Sequence, residues 1–142
     1  MSRIKVNLPE ILPVYTANYT ISIADINYGN HLSNDKSLSI MHEARMQWLV
    51  SLGFKDELDF GEDGLIVTDA ALEFKLEGFF ADALQIDLYL DNPSKYGFDL
   101  YYKIKKEGKA MTLGKTGMLF LNYTTRKVAS VPEIFKTKVG LW

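Results

Sequence analysis

Residues 24–45 read ADINYGNHLSNDKSLSIMHEAR, and a change of character inside this stretch decides the fold. Up to Asn34 it crowds Asp25, Asn27, Asn30, His31 and Asn34 around Gly29 and Tyr28, a composition that makes turns rather than a strand. From Asp35 onward Leu38, Met41, Ala44, Trp48 and Leu52 recur at steps of three and four, with no Gly or Pro before Gly53. This spacing predicts an amphipathic helix over roughly Asp35 to Leu52, with one apolar stripe turned to a core. Ser33 or Asn34 is placed to cap its start, Asp35 sets a negative charge against the positive end of the dipole, and Gly53 suits the stop. The first-turn amides around Asn34 to Ser37 then face the loop of Asn27 and His31, where aligned N–H groups stabilise an oxygen gaining negative charge.

Upstream, Tyr15, Ala17, Tyr19, Ile21 and Ile23 alternate with Thr16, Asn18, Thr20 and Ser22, the pattern of a half-buried strand. Met1 to Pro13 shows little alternation and holds Pro9 and Pro13, so it reads as a surface arm. Downstream, Gly53 to Gly64 is an acidic connection whose Phe54, Leu58 and Phe60 read as anchors against the core rather than as walls of a ligand pocket. Alternating segments follow over Leu65 to Leu76, around Leu84 to Leu90, around Phe98 to Ile104, and from Ala110 to Tyr123. Glu77 to Asp82 connects the first two, and Glu107-Gly108 closes a hairpin. Gly114 and Gly117 in the last segment mark a bulge or a close backbone approach, and a helical turn after Pro132 with Ile134 and Phe135 is expected to cover an edge.

One helix preceded by one strand and followed by four packs most economically if the sheet curls around it. The expectation is therefore an α+β fold, a curled antiparallel sheet of about five strands wrapped around one long central helix, in one domain spanning 1–142. Such a sheet leaves an open edge, and pairing two copies edge to edge covers it, so at least a homodimer is expected.

The totals exclude several classes of function. A net charge of −2 with no basic stripe argues against nucleic acid. The absence of Cys excludes disulfides, thiolate catalysis and thiolate metal sites, and two His, at 31 and 42, do not make a metal motif. No window approaches the ~20 apolar residues that span a bilayer, and the first residues lack a signal-peptide core, so a cytoplasmic protein without membrane insertion is expected.

The string Asp25-Ile-Asn27 … His31-Leu-Ser-Asn34 … Glu43-Ala-Arg45 resembles the hotdog-fold thioesterases of the 4-hydroxybenzoyl-CoA and long-chain acyl-CoA type, whose pattern reads D-x-D-x-x-G-H-V-N-N followed by E-E-A-R. The resemblance implies a homo-oligomer, dimeric or tetrameric, that cleaves acyl-CoA or acyl-carrier-protein thioesters in a pocket between subunits, without metal or redox cofactor. Gly29 in the loop and Asn34 and Asp35 at the helix start are the expected substrate-binding residues. Three positions depart from the pattern. Asn27 stands where many members carry a catalytic Asp, and an amide is neither a general base nor a carboxylate nucleophile. Asn30 stands where Gly is usual, and Ser33 replaces the first Asn of the pair. The plant acyl-ACP thioesterases, with D-x-N-x-H-V-N-N and a following L-E-Y-R-x-E, are similar in pairing Asp, Asn and His; by that likeness Leu72-Glu73-Phe74-Lys75-Leu76-Glu77 makes Glu77 a second carboxylate candidate.

Thioester hydrolysis needs a polarised carbonyl and an attacking water or carboxylate. With no Cys and no Ser in a nucleophile elbow, water or carboxylate attack is favoured. His31 is the leading candidate to activate water, against a structural role bonding a backbone carbonyl. Asp25 either orients His31 or caps its own loop. Glu77 is a site carboxylate or a solvated turn acid. Glu43 looks into a pocket or pairs with Gln47 or an Arg. Asp35 is explained by helix-start electrostatics, Asn27 would hold water or the carbonyl oxygen, His42 reads as a surface residue, and Arg45 would tie the helix to a carboxylate. Asp69 is expected on the outer polar face with Glu73 and Lys75. An acyl-thioester hydrolase is thus the first reading. A hotdog enoyl-CoA hydratase, from the likeness to D-x-N-P-x-H without its Pro and with the His one residue late, and a non-catalytic acyl-thioester-binding protein are the alternatives.

Overall fold

The computed structural model describes residues 1–142. Its elements are β1 (Tyr15–Thr20), a 3₁₀ turn (Ile23–Asp25), α1 (Lys36–Ser51), β2 (Asp63–Phe74), β3 (Ala83–Asp91), β4 (Gly97–Lys106), β5 (Lys109–Asn122), β6 (Lys127–Ala129) and α2 (Glu133–Val139). All strands lie in one antiparallel sheet in the order β1-β3-β4-β5-β2, with β6 added to β5. The fold is α+β, and the sheet has six strands where about five were expected, the extra one being the three-residue β6.

The registers place Tyr15, Leu88, Tyr102, Gly114 and Leu72 in one row across the sheet. At the Gly114 position a Cβ would lie 2.7 Å from Met41 Sδ, so the missing side chain lets α1 settle onto β5. Gly117 has a different reason: Asp69 Oδ2 would lie 2.4 Å from a Cβ there, opposite a bulge that falls in β2 between Val67 and Asp69. Further along the helix Trp48 packs edge-on to Phe98 of β4, with ring centroids 6.4 Å apart. The expected hairpin at Glu107-Gly108 has φ of +51° and +77°, the positive pair that a two-residue turn between twisted strands requires.

Helix α1 is 16 residues long. Its buried face comprises Ser37, Ile40, Met41, Ala44, Arg45, Trp48 and Leu49, while Leu38 is exposed and Leu52 half-buried. The apolar stripe is therefore rotated from the expected one, with Met41 set over Gly114 of β5 and Trp48 against Phe98 of β4. Neither Ser33 nor Asn34 caps the helix through its side chain. Their carbonyls do the local work instead, accepting from the Lys36 N–H (3.0 Å) and the Ser37 N–H (3.3 Å).

Two other expectations are corrected. β1 ends at Thr20, and Ile23 is exposed within the 3₁₀ turn, although Ile21 is buried as the alternation requires. Helix α2 does not cover an edge: Phe135 is fully buried among Trp48, Phe54, Phe60, Phe98 and Phe120, closing the end of the core. Phe54 and Phe60 are core anchors, as expected, whereas Leu58 is exposed. Asp69 lies exposed in an ion pair with Lys115 at 2.7 Å, and Glu73 and Lys75 pair with each other nearby. No helix is long and apolar enough to cross a membrane.

Candidate active site

The loop between β1 and α1 is stitched shut by its own backbone. Asn27 N–H donates to the His31 carbonyl (3.1 Å), Asn30 N–H to the Asn27 carbonyl (3.1 Å), and Ser33 N–H to the Asp25 carbonyl (2.9 Å). Asn30 sits at φ +62°, a left-handed conformation that Asn tolerates nearly as Gly does, which accounts for its standing at a Gly position. The Leu32 N–H then donates to the Gly78 carbonyl at 2.7 Å, binding the loop to the connection between β2 and β3.

That last bond creates the site. It ties the loop of His31 to the connection that carries Glu77, so that His31, Asn34, Ser37, Lys75, Glu77 and Thr112 share one cleft of about 260 Å³, lined also by Leu32, Phe74, Leu76 and Met111. The His31 Nδ1 lies 3.0 Å from the Leu32 carbonyl oxygen. A carbonyl only accepts, so Nδ1 carries the proton in this contact, and the neutral ring presents Nε2 as a bare lone pair. A Cβ on Gly29 would stand 3.1 Å from that Nε2 and 3.2 Å from Asn27 Oδ1, so the ring nitrogen and the carboxamide converge over the one residue without a side chain. The Asn27 Oδ1 accepts from the Gly29 N–H at 2.9 Å, which leaves its NH₂ group for other partners. At the helix start the Asn34 N–H has no acceptor within the chain. The amides of Lys36 and Ser37, expected to face the loop as well, are engaged inside the first turn.

The other candidates are elsewhere. Asp25 is buried and makes no contact with His31; its Oδ2 accepts from the Tyr19 hydroxyl (2.5 Å), the Ser22 N–H (3.0 Å) and the Ser22 hydroxyl (3.3 Å). Burial alone would raise its pKa, but these donors outweigh burial and hold it below the usual Asp value. Asp25 thus caps its own loop, the second of the two roles open to it. Glu43 is exposed and takes the Gln47 amide at 3.0 Å, and that same amide holds the Asn18 carbonyl of β1 at 2.8 Å. Asp35 is exposed and accepts the Ser33 hydroxyl, which is the main cause of its lowered pKa. Gly29, Asn27, Asp25, Glu43 and Asp35 do not line the cleft.

Several lining residues escaped the sequence. Ser37 had a signal, since it falls three residues after Asn34 on the helix face of Met41 and Ala44. Met111 and Thr112 had none, because only the β2–β5 register brings them to the loop. Nowhere do three His, Cys, Asp or Glu side chains converge as a metal site would require.

A helix laid on an antiparallel sheet in the order β1-β3-β4-β5-β2, with a polar loop entering the helix start beside the β2–β3 connection, is the hotdog architecture. Residues 21–139 match the sequence model of the thioesterase-like superfamily, and the chain belongs to that family. It is 32% identical over 120 residues to the 1,4-dihydroxy-2-naphthoyl-CoA hydrolase of Microcystis aeruginosa, covering 82% of this chain and 83% of that one. The fold is similar to that of a 1,4-dihydroxy-2-naphthoyl-CoA thioesterase from Synechocystis, with a TM-score of 0.81 at 21% identity over 89% of this chain and 96% of the other. A Staphylococcus aureus protein whose structure was solved in complex with CoA superposes with a TM-score of 0.80 at 18% identity, over 94% and 86% of the two chains.

Proposed function

We propose that the protein hydrolyses acyl-CoA thioesters to the free acid and CoA, and that the cleft at the start of α1 is where it does so. The observation that carries this reading is the meeting of His31 and Glu77 in one cleft with the unpaired Asn34 N–H. The thioester carbonyl oxygen sits toward the Asn34 amide, a donor of the kind worth about 3–4 kcal/mol when the oxygen becomes an oxyanion. Water attacks the carbonyl carbon while His31 Nε2 takes its proton. The tetrahedral intermediate collapses with loss of the CoA thiolate, and the imidazolium returns the proton to sulfur. Glu77 holds the water and stabilises the imidazolium, and Asn27, whose Oδ1 meets His31 Nε2 over Gly29, positions the ring from outside the cleft. In this reading Asp25, Gly29 and Asp35 position the loop and Glu43 braces β1, none of them touching the reacting atoms.

The complete site belongs to at least a dimer. A cleft of about 260 Å³ is small for an acyl group with its pantetheine, since small-molecule sites are typically ~300–1,000 Å³. β2 has no partner on the side away from β5, and Leu38, Val67, Phe74 and Leu76 are exposed apolar side chains. Pairing of β2 with its copy satisfies the free edge and enlarges the cleft.

The test is thiol release from a panel of aliphatic and hydroxylated aromatic acyl-CoAs, with His31→Ala and Glu77→Gln beside the wild type. The expectation is turnover of at least one ester and a kcat lowered about a hundredfold or more by His31→Ala, with the circular dichroism spectrum retained. Binding without turnover across the panel overturns the reading in favour of a non-catalytic acyl-CoA binder, and water addition to crotonyl-CoA in favour of a hydratase.

A further inference from the structure

Beyond the cleft, a second cavity of about 780 Å³ opens between the N-terminal arm and the end of β2. Its walls carry Arg3 and Lys5 from the arm and Glu73, Phe74 and Lys75 from the strand. Phe74 and Lys75 also line the His31 cleft, so the two spaces adjoin. Consecutive strand side chains point to opposite faces, so an arm that meets positions 72–74 passes only the last residues of the β2 edge and leaves the stretch before them open to a second copy. The arm is anchored there: Val6 is buried, and its N–H donates to Glu73 Oε1 at 3.0 Å.

The charges of this cavity do not cancel. Glu73 is already engaged, by the Val6 N–H and by Lys75 Nζ at 3.2 Å, and these contacts lower its pKa. Arg3 and Lys5 form no ion pair. A chain of net charge −2 thus holds two cations outside any salt bridge, Lys5 with a weaker pull on Glu73, in a cavity that shares Phe74 and Lys75 with the proposed reaction site. The span from Glu77 back to Leu72 is five residues, at most about 18 Å of extended chain, the order of length of an extended pantetheine arm.

We propose that the N-terminal arm forms the phosphate end of the substrate site, with Arg3 and Lys5 binding the phosphates of the CoA nucleotide while the pantetheine runs past Phe74 to the thioester at His31. This rests on the acyl-CoA reading above and names the residues that distinguish CoA from a carrier without phosphates. A guanidinium and an ammonium side by side suit a bisphosphate, the Arg by bidentate hydrogen bonds and the Lys as a mobile point charge.

The test uses the full chain and the Arg3→Ala/Lys5→Ala double variant, with a charge-keeping Arg3→Lys/Lys5→Arg control. Adenosine 3′,5′-bisphosphate, which carries phosphates and no thioester, is titrated by calorimetry. The ratio of KM values for one acyl group on N-acetylcysteamine and on CoA is measured in parallel. We expect the double variant to weaken bisphosphate binding about tenfold, to erase most of the KM preference for CoA, and to lose the salt dependence of that preference, with the control near wild type. Bisphosphate binding that is absent, or equal in wild type and double variant, overturns the proposal. A preference for an acyl-carrier protein over CoA that depends on Arg3 and Lys5 also overturns it, by making the arm a protein-docking strip. If the bisphosphate binds through the arm while no thioester is hydrolysed, the phosphate site stands and the hydrolase reading falls; hydrolysis with arm-independent binding is the reverse.

Discussion

The Tyr19 hydroxyl donates a 2.5 Å hydrogen bond to Asp25 Oδ2, joining the end of β1 to the loop that precedes α1. The contact perturbs both groups. Burial, then the neighbouring Asp25, pushes the Tyr19 phenol up to about 12, while Asp25 is held below the usual Asp range. For Asp25, the lowered group, the linked stability is fully present above the unfolded value of 3.8 and is lost as pH falls through the folded one. For Tyr19, the raised group, it is fully present below the unfolded value of 10.0 and is lost as pH rises toward about 12. Tyr19→Phe should therefore move the onset of acid unfolding to higher pH and remove the alkaline loss between these values. It should also cost about 1–3 kcal/mol at neutral pH. Urea titrations between pH 3 and 11 check both limbs, and an unchanged acid limb would mean that Ser22 alone holds Asp25 ionised.

Asn27→Asp separates the amide from the carboxylate that the family pattern usually has at this position. The acceptor role toward the Gly29 N–H survives the change, so the loop should keep its shape. Its NH₂ donors do not survive, and a second carboxylate arrives beside His31. We expect kcat to fall at least tenfold at pH 7 with little change in melting temperature. A rise in kcat would show instead that an acid at position 27 can take over as the base.

Arg45 is the one nearly buried cation on α1, and its Nη1 donates to the Tyr102 hydroxyl at 3.1 Å. Its Nε stands 3.5 Å from Glu57 Oε2, close enough for an ion pair but without a hydrogen bond. Because the Thr116 hydroxyl donates to Met118 Sδ at 3.2 Å, the Tyr102 phenol proton is directed to Thr116 Oγ1, 2.9 Å away. Tyr102→Phe leaves Nη1 buried without an acceptor and should cost about 1–3 kcal/mol. Arg45→Met removes the donor to Tyr102 together with one of the two partners of Glu57, whose Oε1 keeps His42 Nε2 at 2.5 Å, and should cost more, about 3 kcal/mol. Chemical denaturation of the two variants gives the order, and a neutral Arg45→Met would show that Glu57 reaches water or is satisfied by His42.

Phe135→Ala tests the closure of the core. The ring is fully buried with centroids 5.3 Å from Phe98 and 5.3 Å from Phe120, and its loss should cost about 3–5 kcal/mol. The melting temperature should drop on the order of 10 °C. KM for the best acyl-CoA measured well below that temperature should stay within about twofold of the wild type, since α2 lines no part of the His31 cleft.

The sequence by itself determined the elements, because their signals are local. Periodicity placed α1 at Asp35 to Leu52 against the observed Lys36–Ser51, and alternation placed the strands within a few residues of their ends. Turn chemistry located the loop of Asn27 to His31 and the hairpin at Glu107-Gly108, since Gly and Asn at positive φ are legible without any partner. A spacing of three and four gave the helix but not the angle at which it sits. Whether Leu38 or Ile40 faces inward depended on the strands around the helix, which bury Ile40 and leave Leu38 exposed, while Met41, common to both stripes, sits over Gly114.

Only the tertiary structure gave the three acidic candidates different surroundings. Asp25, Glu43 and Glu77 are equivalent in a sequence, each an acid near a polar loop or helix. Their neighbours make them different: Tyr19 and Ser22 occupy Asp25, Gln47 occupies Glu43, and the Leu32 N–H bond to the Gly78 carbonyl brings Glu77 into the cleft that His31 lines. Hydrogen bonds between segments remote in sequence leave no periodic trace along the chain, so the elements and the candidates His31, Asn34 and Glu77 were readable from it, and their meeting in one cleft was not.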